Sequence, residues 1–273
     1  MRLAYQGEPG AYSEAAALQF GGPDVETLPC KSFDDVFDAV VKLRATHGVV
    51  PLENSIGGTI HRNYDLMLDH DLSITGEIEL DVVHCLQALP GTKLADVTIV
   101  YSHPQALAQC ERYLKDLGVT VEAVYDTAGG AKIIAEQQLA GAAALASRRA
   151  ADVFGLEVLQ EAVQDYEFNI TRFAIIGGTP PNEANKTTIV FALPSTPGAL
   201  FKSLSVFALR DINLSKLESR PIRGRPWEYL FYVEVDAKRD DVACARALTH
   251  LAEFAKWVRV LGTYKGAERR NVT

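Results

Sequence analysis

Through its first 178 residues the chain alternates short apolar runs with stretches of helical periodicity, and this alternation narrows the possible folds sharply. The segments LAYQ (3–6), HGVVPLE (47–53), VTIVYS (97–102), VTVEAVY (119–125) and GAAALAS (141–147) read as strands. Between them, SFDDVFDAVVKLR (32–44) sets Phe33, Val36, Phe37, Val40 and Val41 on one helical face, with Ser32 and Asp35 spaced as an N-terminal cap. IHRNYDLMLDH (60–70), HPQALAQCERYLKDLG (103–118) and TAGGAKIIAEQQ (127–138) read as helices, and ITGEIELDVVHCLQAL (74–89) as a long strand-rich stretch. Strands spaced by helices predict a parallel or mixed sheet covered on its faces.

The rhythm breaks at GGTPPNEANK (177–186), where glycines, prolines and polar residues make a linker. Beyond it, TTIVFAL, INLSKLESRP, EYLFYVEVDA and KWVRVLGTY read as strands, and PGALFKSLSVFALRD and DDVACARALTHLAEFA as helices. Their order predicts a βαββαβ ferredoxin-like plait.

Composition excludes several functions. An apolar content of 48% supports a packed core. A net charge of −8 without a basic stripe argues against a nucleic-acid partner. No signal-peptide core and no run of about 18 apolar residues occurs, so no membrane association is expected, and the expectation is a cytoplasmic protein or a processed form whose targeting segment is missing. The four cysteines form no CxxC pair and the six histidines no HxxxH pair, which gives no support for a metal. GxGxxG and GxxxxGK[ST] are absent too, so no nucleotide cofactor is expected.

Polar turns follow several of the strands. GEPGAYSEAA (7–16) brings small residues and Ser13 to a helix start; that suits an anion, and equally a turn that needs glycine. PLENSIGG (51–58) offers Glu53, Asn54 and Ser55, and SHPQA (102–106) offers Ser102 and His103 ahead of a proline that opens a helix. In YDTAGGA (125–131), Thr127 sits where a helix N-cap is expected, itself a sufficient reason for a threonine. Turns beyond the carboxyl ends of strands gather around one cleft in α/β proteins. NITRF (169–173) adds Asn169, the hydroxyl of Thr171, Phe173, and Arg172, whose planar cation suits a carboxylate.

Taken in order, QGEPGAYSEAA, PLENSIGG, SHPQAL, TAGGA and NITRF resemble the prephenate dehydratases. Residues 187–264, with GAL at 198–200 and ESRP at 218–221, resemble the ACT regulatory domain of that family. The resemblance implies an α/β catalytic region over residues 1–178, two-lobed like type 2 periplasmic-binding proteins. One lobe would comprise 1–78 with 166–178, the other 79–165. It implies conversion of prephenate to phenylpyruvate, the precursor of phenylalanine, without a cofactor because aromatisation drives the step. Thr171 would donate to the departing ring hydroxyl, with His103 and Asn169 orienting the substrate or relaying a proton. Ser13, Asn54, Ser55, Gln105, Thr127, Arg172 and Phe173 would surround the substrate, Arg172 on a carboxylate. Gly198, Ala199, Leu200, Asn213, Glu218 and Ser219 would enclose L-phenylalanine as effector across the interface of a homodimer or homotetramer.

Arogenate dehydratases are close relatives of this family; their substrate carries an ammonium, for which Glu53 would be the acceptor. Prephenate is the expected substrate. A non-catalytic sensor of a small anion and an amino acid is the remaining alternative.

Overall fold

The computed structural model describes residues 1–222 and 224–267. It divides into two units, the first formed by Met1–His70 with Ile78–Ala174, the second by Asp71–Glu77 with the chain from Ile175 onward.

The first unit begins β1 (Arg2–Gln6), α1 (Tyr12–Gly21), β2 (Glu26–Cys30), α2 (Phe33–Val41), β3 (His47–Asn54), β4 (Gly58–Thr59) and α3 (His61–Asp69). β1 pairs in parallel with β2 and with β3. Ser32 caps α2 as its spacing predicts: its hydroxyl accepts from Asp35 N at 3.2 Å, and Asp35 Oδ2 accepts from Ser32 N at 3.1 Å. Such a reciprocal cap stabilises a helix by about 1 kcal/mol. The helix ends at Val41, short of the expected 44, because Leu43 turns out to solvent with φ of 56°.

The expected strand-rich stretch 74–89 is two strands in two sheets. β5 (Ile74–Asp81) joins the first sheet, and the chain crosses at Val82–His84 to β6 (Cys85–Ala88) in a second. The second lobe continues β7 (Ile99–Ser102), α4 (Pro104–Gln109), α5 (Glu111–Leu117), β8 (Thr120–Ala123), α6 (Thr127–Gln137), β9 (Ala142–Ala146), α7 (Arg148–Phe154) and β10 (Glu157–Gln160). Its strand order is β10-β6-β9-β7-β8, parallel around β7 and antiparallel at β6. Leu86, Val100, Cys110, Leu114 and Leu145 share its core.

The single helix expected over 103–118 is two. Gln109 O accepts from Asp165 N at 2.7 Å, and the Asp165 carboxylate receives Arg112 N at 3.1 Å, so the chain from 165 breaks one helix and caps the next. β11 (Ile170–Gly177) then returns to the first sheet between β5 and β3, and Val82 N donates to Asn169 O at 2.7 Å beside the outgoing crossover. The expected two-lobed α/β architecture is thus present.

The second unit carries β12 (Lys186–Ala192), α8 (Ala199–Ala208), β13 (Leu214–Pro221), β14 (Tyr229–Val235), α9 (Val242–Phe254) and β15 (Trp257–Tyr264). The antiparallel order β13-β14-β12-β15 is that of the ferredoxin-like plait. Val206 and Phe207 of α8 and Cys244, Ala247 and Leu251 of α9 pack on Ile189, Phe191 and Val233 of the sheet. All four cysteines are buried and free, and burial pushes the Cys110 thiol up to about 12. Among the described residues no helix is long and apolar enough to cross a membrane.

Candidate active site

A cavity of about 500 Å³ opens in the first unit where the polar turns converge, within the usual size range for small-molecule sites. Tyr12 and Ser13 reach it from the start of α1, Asn54 from the end of β3, and His84 from the crossover. His103, Gln105 and Gln109 come from α4 and its cap, Tyr125, Asp126 and Thr127 from the start of α6, and Thr171 and Phe173 from β11.

Glycine is required in the first turn by close approach. A Cβ on Gly7, at φ of 119°, would stand 2.6 Å from Asp126 Oδ2, and one on Gly10, at φ of 91°, would stand 2.6 Å from Ala150 Cα. The turn before α1 therefore presses directly on the second lobe. Ala11, the N-cap of α1, makes no side-chain cap, so the first-turn N–H groups stay uncapped where Tyr12 and Ser13 line the cavity. An anion is favoured at such a position.

One hydrogen-bonded frame holds Thr171. Asn54 Oδ1 accepts from the backbone N–H of Ile56 at 3.0 Å and Gly57 at 2.7 Å, which turns Nδ2 toward Asn169 Oδ1 at 2.7 Å and Thr171 Oγ1 at 3.0 Å. Gln109 Nε2 donates to Asn54 Oδ1 at 3.3 Å, and Asn169 Nδ2 donates to Gln109 Oε1 at 2.9 Å. Since Thr171 Oγ1 accepts from an amide, its own proton is available to a bound molecule in the cavity.

Electrostatics around this frame are set by burial. Burial lowers the affinity of His103 and His84 for protons, so both imidazoles favour the neutral form. His103 Nδ1 accepts from Gln105 N at 3.2 Å and so caps α4. Burial also raises the pKa of Asp126, although Glu8 N at 2.8 Å and Ala128 N at 3.3 Å donate to its carboxylate. No lysine or arginine is among the described residues lining the cavity.

Of the expected residues, Ser13, Asn54, His103, Gln105, Thr127, Thr171 and Phe173 do line the cavity. Four placements differ from expectation. Ser55 is exposed and outside the lining; its hydroxyl accepts from Ile170 N at 2.9 Å and donates to Phe168 O at 3.2 Å, pinning the turn to β11. Arg172 alternates with Thr171 and Phe173 along the strand, so its guanidinium leaves the cavity and pairs with Glu53 Oε2 at 2.8 Å. Glu53 is thereby removed as an acceptor for a substrate ammonium. Asn169 stands behind the wall, buried in the frame. Thr127 is not the cap of α6 but its first residue; Asp126 is the cap.

Gln109, Asp126, Tyr12 and His84 escaped sequence reasoning. For Gln109 a signal existed: four residues after Gln105, it lies on the same helical face.

In the second unit, Gly198, at φ of 74°, is the N-cap of α8, and Ala199 and Leu200 line a groove of about 440 Å³ with Trp227, Tyr229 and Lys256. Asn213, Glu218 and Ser219 lie elsewhere, at and along β13; Asn213 Nδ2 donates to Asp236 Oδ2 at 2.6 Å, and Glu218 lies 3.9 Å from Lys216 Nζ. Asn213, Glu218 and Ser219 are not among the described residues lining that groove, and Ser219 pairs in the sheet with Phe231, which does line it.

Comparison with known proteins agrees with this geometry. A family model described as prephenate dehydratase matches residues 3–181. The chain is 50% identical to arogenate dehydratase/prephenate dehydratase 2, chloroplastic, of Arabidopsis thaliana, across 97% of this chain and 72% of that protein. Among solved structures, prephenate dehydratase in complex with L-Phe from Arthrobacter aurescens matches with a TM-score of 0.90 and 30% identity, covering all of this chain and 92% of that one. A protein described as GqqA, a novel type of quorum quenching acylase, matches with a TM-score of 0.90 and 35% identity over 98% of both chains. The expected cytoplasmic location is overturned by these findings, since the Arabidopsis relative is chloroplastic.

Proposed function

The chain belongs to the prephenate dehydratase family, and on that premise we propose that it converts prephenate to phenylpyruvate, carbon dioxide and water. The observation that carries this reading is the Thr171 hydroxyl, which accepts from Asn54 and keeps its proton for the cavity. The bond from the ring to its carboxylate breaks, and that electron pair enters the ring. The ring then expels its hydroxyl as hydroxide, which takes a proton from solvent to become water. A threonine is too weak an acid to give up its proton in advance, so Thr171 acts by hydrogen-bond donation as negative charge develops on the departing oxygen. The uncapped start of α1, Ser13 and Gln105 hold the substrate carboxylates. Phe173 and Tyr12 supply apolar walls for the ring.

A second reading, turnover of arogenate to phenylalanine, is favoured by one feature: among the described residues the cavity lining holds no lysine or arginine but includes the buried carboxylate of Asp126. That carboxylate, rather than Glu53, would receive an ammonium. Acyl transfer by a serine–histidine pair finds no such support. Among the described residues lining the cavity, His84 bonds Tyr12 and Gln109, and the His103 ring accepts from Gln105 N.

In this reading the catalytic region spans residues 1–178, with lobes of 1–78 plus 166–178 and of 79–165, and residues 187–264 form an ACT-type regulatory domain. L-Phenylalanine binds there as a feedback inhibitor. The exposed Phe201 and Trp227 support a homodimer or homotetramer. The chloroplastic relative supports a plastid setting.

Replacing Thr171 with alanine tests the site. Loss of roughly 10²- to 10⁴-fold in kcat with an unchanged circular dichroism spectrum is expected, the range for one positioned proton donor. Near-normal turnover would remove Thr171 from the chemistry.

A further inference from the structure

Resting on the reading of Thr171 as the donor to the leaving hydroxyl, we propose that His84 is a positioning residue whose Nε2–H sets the hydrogen-bond frame that aims the Thr171 proton into the cavity. The direction of every bond in that frame follows from its two ends. At one end, the N–H groups of Ile56 and Gly57 can only donate, so Asn54 must present Oδ1 to them and Nδ2 to Asn169 and Thr171. Asn169 therefore accepts at Oδ1 and donates from Nδ2 to Gln109 Oε1. At the other end, Gln109 Oε1 lies 2.8 Å from His84 Nε2, and an oxygen that only accepts requires the proton on that nitrogen.

Tyr12 holds the ring in place, and the tautomer is set at Gln109. His84 is almost fully buried and favours the neutral ring, and the Tyr12 hydroxyl, with its one proton, donates to Val83 O at 2.8 Å and lies 3.0 Å from Nδ1. The two rings meet edge to face, with centroids 5.6 Å apart and planes at 82°, which holds the imidazole against rotation. The opposite tautomer would set a lone pair of Nε2 against a lone pair of Gln109 Oε1. Turning the Gln109 amide to relieve that contact would bring its NH₂ against the NH₂ of Asn169. The conflict would then fall on Asn169 and on the Gln109 contact that backs Asn54 beside Thr171. His84 and Gln109 come from the crossover and the second lobe, while Asn54, Asn169 and Thr171 come from the first sheet, so the frame also spans both lobes.

Steady-state kinetics on His84→Met and His84→Gln, each with and without Thr171→Ala, test the proposal. His84→Met removes the donor at similar bulk and should lower kcat on the order of 10-fold while KM stays within about two-fold, as for a misaimed rather than missing group. His84→Gln keeps an N–H within reach of Gln109 and should recover most of the loss. In the Thr171→Ala background His84→Met should cost less than about two-fold, because there is no proton left to aim. Equal losses for methionine and glutamine, or the same loss in both backgrounds, would overturn the proposal and leave His84 a packing residue. If Thr171→Ala alone is fully active, the reading beneath the proposal fails and the proposal falls with it. Should His84→Met not fold, His84→Asn replaces it, since its shorter side chain leaves Gln109 Oε1 without that donor: a loss in kcat confined to the Thr171 background supports the assignment, and none at all opposes it.

Discussion

Arg172 and Thr171 are neighbours in sequence with opposite fates in structure. Both carry polar chemistry at one end of β11, but successive side chains on a strand point to opposite faces. Thr171 faces the cavity and Arg172 faces Glu53. Arg172→Lys should therefore leave KM within about three-fold and act mainly through stability, by up to about 1 kcal/mol for a partly exposed pair. Thermal melting beside substrate titration measures both; a large rise in KM with an unchanged melting temperature would return Arg172 to the substrate. The residue types of the site were legible because polar side chains after strands and at helix starts are conspicuous in an apolar sequence. Orientation was not: whether β11 presented its odd or even positions could not be seen until its neighbours in the sheet were fixed. His84 and Asp126 were hidden for another reason. A lone histidine in VVHCL reads as half-buried strand, and Asp126 stood beside a threonine that offered a better-known cap.

At the scale of elements, periodicity found α2 and α3 and most strands of the first unit, because each has an apolar stripe of its own. It missed the break between α4 and α5, which is made by Asp165, more than fifty residues downstream in the sequence. It also left β2, α7 and β10 unassigned; β2 and β10 are short and only partly buried, and α7 is a single pair of turns. The glycines of GEPG carried two possible meanings, and contact distance shows that the turn itself needs glycine. Gly10 combines φ of 91° with Ala150 Cα at 2.6 Å from a would-be Cβ, and its carbonyl accepts from Ser147 Oγ at 2.6 Å. Gly10→Ala should destabilise the protein by roughly 3 kcal/mol or more, since backbone strain and overpacking act together. Urea unfolding measures the loss; a change under about 1 kcal/mol would mean that the first turn can move off α7.

Across the whole molecule, the strands and helices beyond 177–186 follow the βαββαβ order of the plait, while the division into units falls at Ala174/Ile175 and takes Asp71–Glu77 into the second unit. What the sequence did not disclose is that β13 lies beside the groove lined by Ala199 and Leu200, Ser219 pairing with Phe231 of that groove. A phenylalanine site at β13 would draw on Glu218 and Ser219. Ser219→Ala combined with Glu218→Gln should then weaken phenylalanine binding at least several-fold while kcat without effector stays near the parent value, in line with coupling of about 1–3 kcal/mol between sites. Calorimetric titration against parallel assays checks this, and unchanged binding would move the effector away from β13. The central claim, that this chain is a dehydratase acting through the cavity of its first unit, meets its most direct test in the product mixture. Purified protein is incubated separately with prephenate and with arogenate, and phenylpyruvate, phenylalanine and carbon dioxide are measured. The account predicts carbon dioxide in one-to-one amount with phenylpyruvate from prephenate or with phenylalanine from arogenate. Binding of either compound without release of carbon dioxide would contradict it and make the cleft a sensor.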